Sequence, residues 1–148
     1  MISRRLVTNA AVAALTSGSG KPVGRGRLPE AKPPYYVLYV VDYSVSGAPL
    51  ADLSEDASVV LQVTSVSGPD PADPGSYGTQ EQQEWLTDTA REVFLGRDPV
   101  TGLWLHDLTV PGARVISRSL EIEPGEASAP PDAIMSAVQR FRLGLTST

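Results

Sequence analysis

The strongest constraint on the fold of this chain is a run of β-branched and aromatic residues, YYVLYVVDYSV, at positions 35–45. Such residues favour extended strands, and no helix former recurs here at helical spacing. A second run, residues 57–67, alternates so that Val59, Leu61 and Val63 fall on one face of a strand. We therefore predict two antiparallel neighbours, joined by a polar connection that is too long for a tight turn and projects from the sheet.

Two later segments also predict strands. The sequence ARVISRSLEI, residues 113–122, alternates from Val115 and Ile116 onward, so that odd-numbered and even-numbered positions face opposite ways. The segment IMSAVQRFRLGL, residues 134–145, alternates its arginines with residues such as Phe141. The chain is thus expected to form about four strands.

The beginning of the chain, MISRRLVTNAAVAALTSGSG, imitates an export signal because two arginines precede an apolar run. Polar residues interrupt that run, and the A-x-A pattern of a cleavage site falls inside it. We therefore expect a short amphipathic helix instead. Its predicted faces are Leu6, Ala10, Ala13 and Ala14 toward the core, and Arg4, Arg5, Thr8 and Asn9 mostly toward solvent.

The clearest helix is EQQEWLTDTAREVFLG, residues 81–96. Thr79 and Gln82 have the spacing of a capping box at its start, and Gly96 is placed to end it. Trp85 and Phe94 are expected to be core anchors and not a stacking platform for bases, which would lie on an exposed basic sheet. The remaining apolar stripe consists of Leu86, Ala90 and Val93.

The order helix, two strands, helix, two strands predicts an α+β fold. We expect a mainly antiparallel sheet of about four strands, with both helices packed on one face. Long loops rich in proline and glycine, at residues 68–78 and 124–132, connect the elements. A chain of 148 residues is long enough to bury one core, so residues 1–148 are expected to form a single domain.

Composition excludes several classes of site. The absence of cysteine rules out a disulfide framework, a thiolate metal site and a cysteine nucleophile, and one histidine is a poor basis for zinc. No metal or other cofactor is expected. The net charge of −5 does not favour nucleic acid as a principal partner. No run of the sequence approaches the apolar length of a membrane span, so no membrane partner is expected.

The segment SGSGKPVGRGRLPE, residues 17–30, is the one stretch that suggests a phosphate-binding loop. A P-loop needs a glycine ahead of the Gly20–Lys21 pair, where the sequence has Leu15 and Thr16, and a serine or threonine where Pro22 stands. It also runs from a strand into a helix, whereas this segment leaves a helix and enters a strand. We interpret it as a flexible basic connection, either a solvated loop or a contact for an acidic partner surface.

No set of residues predicts catalysis. His106 and Asp107 are adjacent, and adjacent side chains rarely point the same way, while no serine lies in a G-x-S-x-G context. The acidic residues of the loops lack the D-x-D-x-D-G order of a calcium site. We therefore do not expect an enzyme, and binding to other proteins is the favoured class of function.

The order of these segments resembles the tail terminator, or tail completion, proteins of long-tailed bacteriophages. The resemblance rests on YYVLYVVDYSV, VVLQVTSVS, EQQEWLTDTAREVFLG and the final RFRLGL, and is most specific over residues 59–96. It implies a virion protein at the head-proximal end of the tail, made in the host cytoplasm. Such a subunit closes into a hexameric ring on the tail tube, ends tube polymerisation and offers a docking surface to the head connector. DNA at most passes through the ring lumen.

That resemblance implies three protein partners: other copies of the chain, the major tail tube protein, and a head connector or stopper protein. Loop length and charge then suggest two sets of contact residues. Subunit contacts, with opposite charges on neighbouring copies, are assigned to Arg25, Arg27, Asp52, Glu55 and Asp56. Tube or connector contacts are assigned to Asp70, Asp73, Tyr77, Glu126 and Asp132.

Three alternatives stay open from the sequence. A head-to-tail joining protein, such as a stopper or neck subunit, shares the ring arrangement and differs in the partner it binds. A small exported binding module would use the arginine-led beginning of the chain as a signal. A small enzyme would need a deep pocket with a titratable pair around His106.

Overall fold

The computed structural model describes residues 1–46, 54–68, 80–122 and 135–148. These residues form an α+β fold with a mixed five-stranded sheet in the order β1-β2-β3-β5-β4. The elements in chain order are α1 (Arg4–Ser19), β1 (Val23–Arg25), β2 (Tyr35–Ser46), β3 (Asp56–Ser67), α2 (Gln80–Leu95), β4 (Ala113–Ile122) and β5 (Met135–Ser147). The predicted loop at 124–132 and most of the loop at 68–78 lie outside the described residues.

The four predicted strands are confirmed and pair antiparallel. β2 pairs with β3, β3 with β5, and β5 with β4. Leu61 of β3 lies opposite Val40 on one side and Phe141 on the other, so the apolar residues of three strands share one face. The faces predicted from the alternating residues of the central strands are therefore confirmed.

A fifth strand makes the prediction of about four antiparallel strands wrong. Val23–Arg25 pairs parallel with Tyr36–Leu38, and the Gly26 amide donates to the Leu38 carbonyl at 2.9 Å. This β1 lies within the basic segment interpreted as a flexible connection. A strand of three residues with a glycine in the middle is too short to show alternation, which is why it was missed. Gly24 is required here because a Cβ at this position would collide with the Arg27 carbonyl oxygen.

α1 has capped ends. The Ser3 hydroxyl oxygen accepts a hydrogen bond from the Leu6 amide at 3.4 Å, which satisfies one free N–H of the first turn. At the other end Gly20 adopts φ 69°, a left-handed conformation that glycine takes without strain, and its amide donates to the Thr16 carbonyl at 3.0 Å. The predicted helix is therefore confirmed.

The predicted core face of α1 is displaced by about one position. Val7, Ala11 and Leu15 form the buried stripe, whereas Ala13 is exposed. Thr8, expected in solvent, is also buried, because its hydroxyl donates to the Arg4 carbonyl at 3.0 Å and so needs no water. The remaining predicted core residues, Leu6, Ala10 and Ala14, are half-buried at the margin of the core.

α2 buries the predicted stripe, and Gly96 follows its last residue. The prediction that Trp85 is a core anchor is wrong, because its side chain is 46% exposed. The ring lies beneath Lys21, whose Nζ is 5.6 Å from the ring centroid. The capping residue Thr79 lies outside the described residues. Gln82 Oε1 accepts from the Ser67 hydroxyl at 2.9 Å, which links the start of α2 to the end of β3.

Both helices pack on one face of the sheet, as predicted. α1 contacts β1 and β2, whereas α2 contacts β3, β5 and β4, and the helices also contact each other. The rings of Phe94 and Phe141 meet with centroids 4.9 Å apart. The Tyr36 hydroxyl donates to the Leu86 carbonyl at 2.6 Å, and burial raises the pKa of Tyr36.

The strict alternation predicted for β4 is interrupted. Its register with β5 shifts between Val115 and Ser117 and again between Leu120 and Ile122. Each irregularity changes which side chains share a face, so Val115, Arg118 and Leu120 all lie on the helix-covered side. A sequence pattern with a fixed period of two has no means of showing such shifts.

Candidate functional site

The face of the sheet that turns away from both helices, here the open face, carries an ordered row of polar side chains. Tyr39, Gln62 and Arg140 lie opposite one another on three adjacent strands. Gln62 Nε2 donates to the Tyr39 hydroxyl, and Arg140 Nε donates to Gln62 Oε1 at 3.0 Å. Gln62 is only 8% exposed even though neither helix covers it. The open face is therefore preordered by hydrogen bonds between its own strands.

Arg142 extends this row toward the sheet edge. Its Nε donates to Glu121 Oε1 at 2.5 Å, and a guanidinium N–H donates to the Ser58 hydroxyl at 2.6 Å. The hydrogen bond and charge of Glu121 raise the pKa of Arg142. The pair is exposed to solvent, so it orders the surface more than it stabilises the fold.

Both edges of the sheet have backbone without a strand partner among the described residues. β4 is unpaired on its outer side, apart from a bridge between Ala113 and Val110. At the opposite edge β1 pairs with only three residues of β2, so residues 39–46 have no outer partner in the part of the chain that the structure describes. Unpaired edges are templates for pairing with another chain. Exposed apolar side chains accompany both: Ile116, Leu120 and Ile122 on β4, and Tyr39, Val41 and Val45 on β2.

A short hairpin, residues 96–105, projects after α2. The Asp98 amide donates to the Leu103 carbonyl at 2.8 Å, and Asp98 Oδ1 accepts from the Val100 amide at 2.7 Å. These bonds fix the turn. The side chains of Val100 and Leu103 are 91% and 69% exposed, so the hairpin presents apolar groups to solvent.

Cation–aromatic contacts hold the base of this hairpin. The guanidinium carbons of Arg97 and Arg118 lie 4.0 and 4.5 Å from the Trp104 ring centroid. Arg118 also donates to the carbonyls of Phe94 at 3.2 Å and His106 at 2.9 Å. Burial lowers the pKa of Arg118. The hairpin is thus joined to β4 and to the end of α2.

Three arginines line a cleft of about 440 Å³ beside the unpaired part of β2. Arg4 and Arg5 belong to the first turn of α1, and β1 contributes Arg25. Arg25 donates to Asn9 Oδ1, while the Arg4 guanidinium lies 5.5 Å from the Tyr43 ring centroid. No carboxylate of the described residues forms a salt bridge with these arginines. We call this feature the basic cleft.

The predicted subunit contacts occupy two distant places. Arg25 lies beside Leu38 of β2, whereas Asp56 lies opposite Ser46. Eight residues of strand separate these positions, about 26 Å at 3.3 Å per residue. Arg25 and Asp56 therefore cannot form an ion pair within one chain. Arg27 is exposed just after β1, and Asp52 lies outside the described residues.

Glu55 is used within its own chain. Its Oε1 accepts from the Ile2 amide and lies 3.9 Å from the amino group of Met1. Its backbone amide donates to the Ser147 hydroxyl at 2.8 Å. Glu55 therefore holds the beginning of the chain with its carboxylate and the end of β5 with its backbone amide, a role that no sequence pattern indicated.

The five residues predicted to contact a tube or connector, Asp70, Asp73, Tyr77, Glu126 and Asp132, lie outside the described residues, and their assignment stays a prediction. His106 is half-buried in the connector after the hairpin, beside Gly18 of α1, whereas Asp107 is exposed. Across the described ranges, no three histidine or acidic side chains are grouped to hold a metal ion.

Sequence reasoning missed the basic cleft and the hairpin. Arg4 and Arg5 were assigned only to the solvated side of a helix, because nothing local shows that β1 brings Arg25 beside them. The sequence does predict a turn at GRDPVTG, residues 96–102, where Asp98 precedes a proline and Gly102 has a positive φ of 72°. The following segment LWLHDLTVPG, residues 103–112, is expected from the sequence to be a partly buried connector, whereas its first residues close a hairpin in which Leu103 and Leu105 are exposed.

Within the part of the chain that the structure describes, neither helix is long and apolar enough to cross a membrane. Comparison with known proteins adds no relative: no protein-family model matches this chain, and no curated protein sequence matches it.

Proposed function

We propose that this chain is a structural subunit that assembles with copies of itself into a ring of the phage tail terminator kind. The ring caps the tail tube, ends tube polymerisation and offers a docking surface to the head connector. One observation carries the proposal: the two edges of the sheet, which lack a full partner strand among the described residues, differ from each other, and each presents exposed apolar side chains.

Unlike edges favour a ring over a two-fold dimer. A contact between two different surfaces of the same chain is heterologous, and repeated heterologous contacts close into a ring when the rotation permits. β2 and β4 run in opposite directions within the sheet. In a ring whose axis follows the strands, β4 of one copy therefore pairs antiparallel with residues 39–46 of the next. This pairing satisfies backbone groups on both edges.

The first test measures assembly. Sedimentation velocity and electron microscopy of the purified chain are expected to give a ring with six times the 15.7 kDa mass of one copy. Lysine at an edge position opposes strand pairing, so Val41→Lys or Ile116→Lys should give smaller species. Val100→Lys, a similar change on the exposed hairpin tip, is the matched control and should leave the mass unchanged.

A second measurement identifies the partner. Rings added to polymerising tail tube protein should bind the tube ends and limit tube length. Binding to a portal-side connector, without binding to tubes, would assign the chain to the stopper or neck class instead. A chain that stays monomeric alone and with assembled tubes would contradict both assignments.

A further inference from the structure

Two of the positive charges in the basic cleft lie at the amino end of α1, where positive side chains destabilise a helix. The amino end of a helix carries a partial positive charge, so acidic side chains stabilise the first turn and basic ones oppose it. The first turn of α1 holds Arg4 and Arg5 and no acidic residue. Two arginines at this place weaken the isolated helix, which is explained if they bind an anionic group elsewhere.

The third arginine converts this helix end into a concave site. β1 places Arg25 across from α1, where it donates to Asn9 Oδ1 and lies 3.5 Å from the Arg5 carbonyl oxygen. All three arginines are exposed, and the described residues bring no carboxylate to form a salt bridge with them. The cleft has the chemistry to receive carboxylates.

The same chain carries a surface of opposite charge on α2. Four exposed carboxylates follow the outer side of this helix, and Asp88 is partly neutralised by Arg91 at 3.1 Å. A shallow groove of about 510 Å³ runs beside Asp88 and Leu95. We call this feature the acidic surface, and its carboxylates are Glu81, Glu84, Asp88 and Glu92.

The sheet order places the two features at opposite flanks of the helical layer. α1 contacts β1 and β2, whereas α2 extends to β4 at the other edge. Trp85 and Val93 mark the flank of α2 that meets α1, because Lys21 lies over one and Gly18 lies beside the other. At the angular spacing of helix residues, Glu84 and Asp88 lie on a different side of α2, which faces away from α1.

Edge pairing brings these flanks together. When β4 of one copy lies against residues 39–46 of the next, the helices of both copies remain on the same side of the extended sheet. α2 of the first copy then follows α1 of the second. The basic cleft adjoins Tyr39 and Val40, within the part of β2 that would accept β4. The charges are therefore complementary at the place where the copies meet.

We propose that the basic cleft of one copy binds the acidic surface on α2 of a neighbouring copy. This inference rests on the proposed self-assembly and adds to it an electrostatic contact between the helical layers. It names a partner for Arg25 different from the acidic loop expected from the sequence, of which Glu55 is already used within its own chain.

Two charge-reversed chains test the contact. Arg4→Glu with Arg5→Glu gives the reversed-cleft chain, whose new carboxylates suit the first turn of α1 and preserve folding. Glu84→Lys with Asp88→Lys gives the reversed-helix chain. Each alone brings like charges together, so self-association in sedimentation velocity should weaken roughly tenfold or more. A mixture should assemble as the wild type does, because every contact in an alternating ring again joins opposite charges.

The matched control is Lys32→Glu with Val100→Glu and Thr101→Glu, all at exposed positions outside the proposed contact, which changes the net charge as much as the reversed-cleft chain does. Its assembly should stay within about twofold of the wild type, and circular dichroism should show equal helix content in all chains. Wild-type assembly should also weaken from about 50 mM to about 500 mM salt, because exposed charges are screened.

The outcomes separate this inference from the proposed function. Wild-type rings without restoration in the mixture, or a control that weakens assembly equally, would overturn the contact and leave the ring intact. Restoration in the mixture without closed rings or binding to tubes would support the contact and contradict the tail role. A wild-type chain that does not self-associate even at low salt would overturn both.

Discussion

The two faces of β3 are both buried, but by different means. On one face Leu61 and Val63 lie under the helices and are fully excluded from solvent. On the other face Val60 and Gln62 are 6% and 8% exposed, and within the described ranges they lie between residues of the two neighbouring strands and under neither helix. The first face is a dry core, and the second is a hydrogen-bonded surface. The apolar core and the ordered polar surface thus lie on opposite sides of one strand.

Truncation on the dry face should have the largest effect. Leu61→Ala removes a fully buried side chain between β2 and β5 and leaves a cavity. We expect a loss of about 2–5 kcal/mol in the free energy of unfolding. Urea denaturation followed by circular dichroism measures it. A loss below about 1 kcal/mol would mean that this side of the sheet is not the main source of stability.

The buried hydroxyl of Tyr36 should make the dry face sensitive to alkali. Burial raises the pKa of Tyr36, so the folded state retains its proton at a pH where the unfolded state loses it. Stability attributable to this group is constant below pH about 10 and then falls by up to about 1.4 kcal/mol per pH unit.

Tyr36→Phe removes that decline and loses the hydrogen bond to Leu86, at a cost of about 1 kcal/mol at neutral pH. Urea denaturation of both chains at neutral pH and above pH about 10 isolates the contribution of Tyr36. Equal alkaline slopes in the two chains would contradict the assignment.

On the open face Gln62→Leu should cost less than the cavity. The substitution keeps the bulk of the side chain but leaves the Tyr39 hydroxyl and Arg140 without their shared partner. Both groups are close enough to water to be solvated instead, so we expect a loss of about 0.5–1.5 kcal/mol. A loss of unfolding free energy as large as that of Leu61→Ala would contradict the view that the two faces of β3 contribute differently to stability.

The smallest effect is expected at the outer end of the same row. Arg142→Gln breaks the exposed pair with Glu121, and thermal denaturation should show no measurable change. The double variant Arg142→Gln with Glu121→Gln should behave the same way. A clear loss in stability would show that this pair contributes to folding, and not only to the order of the surface.

The long elements could be predicted because their patterns extend over many residues. Leu86, Ala90 and Val93 repeat at helical spacing, and the alternating residues of β3 select one face without ambiguity. The core face of α1 was displaced because its small alanines give little contrast between faces. Thr8 could be buried only because its hydroxyl binds the backbone of the same helix.

The candidate sites depend on contacts between distant segments. Arg4 and Arg25 become neighbours through the three residues of β1, and Trp104 is held by an arginine from β4. No repeating pattern in the sequence reveals contacts between residues so far apart in the chain. Composition indicated a basic segment, but the sheet order was needed to place it and the carboxylates of α2 at opposite flanks.

The positions of the two tryptophans give the molecule two built-in fluorescent reporters. Trp104 lies against Arg118 of the edge strand, and Trp85 lies beneath Lys21 where the helices meet. Trp85 is exposed and Trp104 is half-buried, so we expect a dissolved quencher to reach both indoles, Trp85 more readily. Replacing either one with phenylalanine leaves a single emitter, so quenching by iodide reports separately on the β4 edge and on the helical layer during assembly.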